Sequence, residues 1–321
     1  MPSTAGSPVW AITSYFNPIG YRSRQENYRL FRKNLQVPLV TVEHSVTGCF
    51  DLDETDADIL IRLKGGDIMW QKERLLNVAL EAVPETCQAV AWLDCDVLLP
   101  DPDWARRSLA KLDESVLVQP FSWACEAQTP RDADAPAATS RTATRPSFAA
   151  RYAREELSPE EIRTWRIGDD PMPIHCGYAW VGRADLLRRH GFYDASIIGG
   201  GTRESATAAI GEVEAAGLCH PRSRAQLDHF LAWAHKWSSA IDGHIGYVEG
   251  ELMHLWHGET ADRGYGKRYS ILTEHDFDPC VDIALTESGC WRWDTPKEKL
   301  HEQVTRYFTA RHEDGKPSKS A

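Results

Sequence analysis

Apolar residues along this chain follow two spacings. Short, nearly continuous runs at Val9–Phe16, Val37–Val42, Ile59–Leu63, Ala89–Leu93 and Ser115–Phe121 read as strands. Between them, apolar positions return every three or four residues: Tyr28, Leu30, Phe31 and Leu35 within Arg22–Leu35, and Leu75, Leu76, Val78, Ala79 and Leu80 within Trp70–Ala82. Those stretches, and Asp103–Leu112, read as helices with one face toward a core. Breakers stand where turns are needed, at Asn17-Pro18-Ile19-Gly20 and Gly65-Gly66-Asp67. Strand–helix alternation at this pitch predicts the α/β class, with a doubly wound, mostly parallel sheet flanked by helices. The unbroken apolar run at Ala89–Leu93 suits a strand covered on both faces.

Composition shifts over 126–150, which is mostly Ala, Thr, Ser, Pro, Arg and Asp. That predicts a mobile insertion, either a lid or a disordered spacer. A helix then opens near Ser158-Pro159, with cap and first-turn residues in place. Tyr178–Gly182 reads as a strand and Ala184–His190 as a helix ended by Gly191. A small-residue helix from about Glu204 to Ala216, a Trp-rich helix over Ala225–Ser239, a strand at Ile245–Glu249 and a closing helix over Pro296–Arg311 follow. The division expected is one domain over 1–311, with halves at about 9–124 and 171–295, the insertion at 126–150, and a disordered tail at 312–321.

With 321 residues and 42% apolar content, the chain can build a sizeable core. Its net charge of −11 argues against nucleic-acid or anionic-membrane surfaces as general partners. A local basic groove through Arg141, Arg145, Arg151 and Arg154 is the one place where nucleic acid would fit. No apolar stretch approaches the ~20 residues of a transmembrane helix. The small, polar start of the chain lacks a signal pattern, and the eight cysteines lack paired C-x-x-C spacing. The location expected is the cytoplasm, with peripheral membrane attachment left open.

Two carboxylates, Asp94 and Asp96, appear where the strand Ala89–Leu93 should end. Alternate residues of an extended chain point the same way, so both can face one spot at the strand's carboxyl end. Open α/β sheets bind ligands at that end, and two hard oxygen ligands there suit a divalent cation. Downstream, His254 and His257 could add imidazole nitrogens to the same ion. Gly199-Gly200-Gly201 permits close backbone approach to a ligand. The twelve tryptophans include faces on which a sugar can stack, though most belong in the core.

These blocks occur in a familiar order: Arg22-Ser-Arg-Gln-Glu-Asn-Tyr28, Gly66-Asp67 leading to Lys72-Glu-Arg-Leu-Leu-Asn77, Trp92-Leu-Asp-Cys-Asp-Val-Leu-Leu-Pro100, and His254-Leu-Trp-His257. In that order the chain resembles the GT-A glycosyltransferases, in particular the β-1,4-galactosyltransferase and chondroitin-polymerase-like branch. The resemblance runs over most of residues 9–270, more closely in the first half. It implies a Rossmann-like GT-A fold whose first half binds nucleotide and whose second half supplies acceptor and metal residues. It implies a UDP-sugar donor and Mn²⁺ or Mg²⁺. Phe16, Arg22 and Arg24 fall where the family holds the uridine and its diphosphate, and Asp67 and Lys72 lie in the block lining the nucleotide site. Asp94 falls at a position facing the ribose or the metal's water shell, Asp96 and His257 at metal ligands, and His254 at a second histidine ligand. The acceptor implied is a hydroxyl of a polysaccharide, other glycan or glycolipid, with inversion at the anomeric carbon.

One block departs from the branch. Ile198-Gly-Gly-Gly-Thr-Arg-Glu-Ser205 puts Thr202 and Arg203 where acidic side chains are expected. A general base must come within hydrogen-bond reach of the acceptor hydroxyl. Glu204 is the nearest carboxylate and is the expected base, with Asp194 in reserve. Two other classes remain: a nucleotidyltransferase, which shares the carboxylate pair, and a binding protein that keeps a nucleotide-sugar pocket without transfer.

Overall fold

The run Ala89–Leu93 (β4) lies in the interior of a seven-stranded sheet ordered β10-β6-β9-β4-β1-β2-β3. The computed structural model describes residues 6–127, 142–164, 175–264 and 267–315. In chain order the strands of this sheet are β1 (Val9–Phe16), β2 (Leu39–Ser45), β3 (Ile59–Lys64), β4, β6 (Leu117–Gln119), β9 (Ala179–Arg183) and β10 (Ile245–Tyr247). β1 runs parallel to both β2 and β4, and β2 parallel to β3. β9 alone is reversed, antiparallel to β4 and to β6. The expected α/β class and mostly parallel sheet are therefore present, with one antiparallel strand that periodicity does not reveal.

Alternation along each strand sorts side chains onto two covered faces. Trp10, Ile12, Val40, Val42, Val90 and Trp92 meet Leu75, Leu76, Ala79 and Leu80 of helix α2 (Lys72–Ala82) in one cluster. Val9, Ala11, Leu39, Ala89, Ala91 and Leu93 meet Phe31 of α1 (Arg22–Asn34) and Trp104 of α3 (Trp104–Lys111) in the other. Each fully buried leucine among them contributes roughly 2 kcal/mol of apolar transfer. This double cover explains the unbroken apolar runs. The helix expected over Glu204–Ala216 is two helices, Gly201–Ala209 and Val213–Leu218, separated at Gly211.

A second sheet, ordered β5-β11-β7-β8, was not foreseen because its strands are short. Its members are β5 (Val97–Leu98), β7 (Trp123–Glu126), β8 (Thr142–Pro146) and β11 (Glu251–His254). Within the insertion expected over 126–150, residues 142–146 pair with β7 and Phe148–Ala153 is helical, while 128–141 lie outside the described residues.

The tail expected at 312–321 also departs from expectation as far as it is described. Helix α1 has no side-chain cap of its own, and the Asp314 carboxylate accepts the N–H groups of Arg22 (2.9 Å) and Ser23 (2.8 Å) instead. Helix N-terminal N–H groups need such an acceptor. Glu313 is only 1% exposed, held by arginines rather than water. At Glu313 the polar side chain serves ion pairing inside the fold, not solvation.

Gly258 sits in a left-handed conformation (φ +88°), and a Cβ there would meet the Glu313 Cα and the His312 carbonyl oxygen at 2.9 Å. Gly258→Ala is expected to cost about 1–3 kcal/mol in urea unfolding. An unchanged midpoint would mean that the 311–314 segment does not dock against this turn.

Candidate active site

At the carboxyl ends of β1 and β4 the two sheets enclose a cleft lined by Ser14, Phe16, Arg24, Trp70, Gln71, Lys72, Asp94, Cys95, Asp96, Tyr178, His254, His257, Arg263, Phe308 and Arg311. Its floor is set by backbone pairing. After β4 the chain turns through Asp94 and Asp96 into β5, which runs antiparallel to β11 with Val97 opposite His254. The Leu255 N–H donates to the Asp96 carbonyl at 2.8 Å, so the Asp turn and the histidine stretch are stitched side by side.

That stitching gathers three donor groups. His254 Nε2 lies 3.1 Å from His257 Nε2, His257 Nε2 lies 3.3 Å from Asp96 Oδ2, and His254 Nε2 lies 3.8 Å from Asp96 Oδ1. Donor atoms sharing one ion at bonds of ~2.1 Å stand roughly 3 Å apart. Asp96 Oδ1 is buried without a hydrogen-bond partner, a costly state for a carboxylate oxygen unless a cation meets it. Burial and the nearby Arg263 lower the His254 pKa to about 3 and hold that of His257 well below its ordinary value. Both imidazoles are therefore neutral, the form that ligates. The residues fit a divalent cation held by one carboxylate and two imidazoles. Asp94 stands apart from this trio, paired with Lys72.

Positive charge faces the trio from several elements: Arg24 from α1, Lys72 from the start of α2, and Arg263 and Arg311 from later in the chain. Tyr178 closes another side. Its ring stacks on His254 (4.5 Å, 24°) and lies 4.5 Å from the His175 ring, and its hydroxyl donates to Glu126 at 3.1 Å. Its backbone is left-handed (φ +78°), an uncommon state for a bulky residue, and its carbonyl accepts the Asp94 N–H at 2.8 Å. Hydrogen bonding to His175 pulls the Glu126 pKa down to about 2, so this hydroxyl always meets an anion near neutrality.

Of the residues singled out in the sequence, Phe16, Arg24, Lys72, Asp94, Asp96, His254 and His257 share the cleft. Four do not. Arg22 points to solvent and pairs with Glu26. Asp67 accepts the Trp293 N–H at 2.8 Å, anchoring the strand Trp291–Trp293. Asp194 is held by Arg74 (3.3 Å) and Asn77 (3.1 Å). Glu204 is fully buried, bound by Arg222 (2.8 Å), His220 (2.6 Å) and Ser196 (2.8 Å). Burial pushes its pKa up, but Arg222 and His220 outweigh it and hold the carboxyl below its ordinary value. A carboxylate so engaged, fully buried and outside the cleft lining, is a structural ion pair out of reach of an acceptor hydroxyl.

Several cleft residues escaped sequence reasoning, among them Trp70, Tyr178, Arg263 and Arg311. Glu73 also did. Its Oε2 accepts the Trp70 indole N–H at 2.9 Å, while Oε1 lies so close to Gly201 that a Cβ there would approach to 2.6 Å. It borders a small cavity with Lys72, Trp92, Tyr193 and Thr202, and burial raises its pKa to about 7. The signal available was its place beside Lys72 in the first turn of α2.

No family model and no curated protein matches the chain. Among solved structures it aligns with S. aureus TarS in complex with UDP-GlcNAc at 13% identity, over 95% of this chain and 72% of that one, with a TM-score of 0.40. It aligns with 4-diphosphocytidyl-2C-methyl-D-erythritol synthase from Anaerococcus prevotii at 9% identity, over 77% and 88%, with a TM-score of 0.33. An active-site mutant of LgtC aligns at 9% identity, over 75% and 72%, also at 0.33. Likenesses this distant carry no weight for the chemistry. No helix among the described residues is long and apolar enough to cross a membrane.

Because its folded pKa is depressed, Glu204 contributes its full stability above the ordinary carboxylate pKa and loses it as pH falls through the folded value. Glu204→Gln, which leaves Arg222 buried and uncompensated, is expected to cost about 3–5 kcal/mol at pH 7 and less below pH ~4. Urea unfolding at both pH values checks this; a pH-independent deficit would contradict the ion-pair assignment.

Proposed function

We propose that the chain is a metal-dependent glycosyltransferase of GT-A type that moves a sugar from a UDP-sugar to a hydroxyl of a glycan, polysaccharide or glycolipid. One observation carries this reading: Asp96, His254 and His257 converge beside a wall of arginines and a lysine, at the carboxyl ends of the central strands. A metal-ligand trio facing clustered cations suits a diphosphate, with Arg24 and Lys72 on its oxygens and Phe16 toward the nucleoside. Asp96, His254 and His257 would hold Mn²⁺ or a similar ion, which when bound would neutralise charge on a nucleoside diphosphate leaving group. Burial pushes the Asp94 pKa up, and the Lys72 ammonium paired with it at the cleft edge opposes that rise. Inversion is carried over from the resemblance alone.

Glu73 takes the part of the base that Glu204 cannot play. It borders the small cavity beside Thr202, and a pKa of about 7 suits proton transfer at neutral pH. Glu73→Gln is expected to lower transfer about 10²-fold or more while leaving UDP affinity unchanged. Equal turnover would remove Glu73 from the chemistry.

One carboxylate and two histidines also suit non-haem iron, but the cationic wall favours a phosphorylated ligand. The direct test is calorimetric titration of UDP with Mn²⁺, with EDTA, and with Asp96→Asn. Micromolar affinity, about −8 kcal/mol, is expected only where both the ion and Asp96 are present. Binding indifferent to EDTA and to the substitution would sink the metal assignment, and no binding would sink the donor. Free UDP as product, rather than pyrophosphate, separates transfer of sugar from transfer of nucleotide.

A further inference from the structure

Two of the arginines lining the cleft share a single carboxylate that does not itself line it. Glu313 receives Arg24 Nε at 2.5 Å and Arg24 Nη2 at 2.8 Å, and Arg311 Nε lies 2.7 Å from its Oε1. The remaining nitrogen of Arg24, Nη1, donates to the Phe16 carbonyl at 3.0 Å. The Arg311 guanidinium lies over the Trp70 and Tyr307 rings, and its Nη1 is buried with no acceptor among the described residues. Two guanidiniums against one carboxylate leave a net positive charge directed at the cleft, and an orphaned buried N–H is costly unless a ligand meets it.

We infer that Glu313 is a positioning residue of the donor site, holding the Arg24 and Arg311 guanidiniums so that their cleft-facing edges meet the diphosphate. This rests on the donor reading above. Without the carboxylate, two like charges would repel each other and swing on long side chains, and the ordering would have to be supplied at each binding event. Glu313 reaches the arginines because Asp314 fastens the same segment to the start of α1 and Ser23 Oγ donates to the Glu313 carbonyl at 3.0 Å. The opposite role, a carboxylate competing with phosphate for the arginines, predicts the opposite sign.

The test is calorimetric titration, in Mn²⁺, of UDP, pyrophosphate and uridine into the full chain, Glu313→Gln and Asp314→Asn. Glu313→Gln is expected to weaken UDP and pyrophosphate about tenfold or more, and to leave uridine unchanged. Asp314→Asn loosens the segment but touches neither guanidinium, and is expected to weaken UDP clearly less than Glu313→Gln does. Equal or tighter UDP binding by Glu313→Gln overturns the inference. So does a parallel loss in both variants that follows thermal stability, since that marks a merely structural role. If Glu313→Gln does not fold, Arg311→Lys keeps the charge without the planar fork; the same loss supports the inference and unaltered affinity overturns it. An unaltered chain that binds neither UDP nor pyrophosphate removes the donor reading and this inference with it, whereas binding with an indifferent Glu313→Gln removes the inference alone.

Discussion

The contact on which the cleft depends is a short one, the antiparallel pairing of Val97–Leu98 with Met253–His254, extended by the Leu255 N–H on the Asp96 carbonyl. The large sheet places the Asp turn at the end of β4, but nothing in that sheet fixes what stands opposite. Backbone bonds between two segments far apart in the chain do so, and they set the distance between a carboxylate and an imidazole more tightly than side-chain packing could. Buried backbone groups must be paired, so the register is enforced at every bond.

Charge is the second constraint. The cleft brings Asp94, Asp96 and Glu313 close to Lys72, Arg24, Arg263 and Arg311 in a partly desolvated space. Ionic groups taken from water are stable only when their partners are preorganised: Asp94 has Lys72 and Glu313 has Arg24 and Arg311, whereas Asp96 keeps one buried oxygen without a hydrogen-bond partner. Glu204 with Arg222 and His220 follows the same rule outside the cleft. That pairing explains how a residue that looks available in the sequence is unavailable in the fold.

What the sequence revealed follows from the range of the interactions involved. The Ala89–Leu93 run, the Asp pair behind it and the α2 periodicity are local patterns, and all three stand in the structure. Two-residue β5 and four-residue β11 leave no periodic trace, so the reason His254 faces Asp96 was hidden although both residues were marked. Arg22 and Arg24 share a block, yet residues two apart on a helix face different ways, and only Arg24 turns inward. Asp67, expected in the nucleotide-site block, and Asp194, the expected reserve base, are engaged instead by Trp293 and Arg74, partners too remote in the chain for a local pattern to reveal. Polar composition hid Glu313 for the same reason, since a buried ion pair and a solvated tail use the same alphabet.

Tyr178 joins these threads. Its carbonyl fixes the amide of Asp94 while its ring lies flat on His254, so one residue sets both the start of the Asp turn and the plane of an imidazole. It does so from a backbone conformation that costs about 1–3 kcal/mol. Glycine would relax the backbone and release the ring, loosening the turn and the imidazole together. At this position ease of folding and sharpness of the cleft are opposed, and the chain has settled on the strained side.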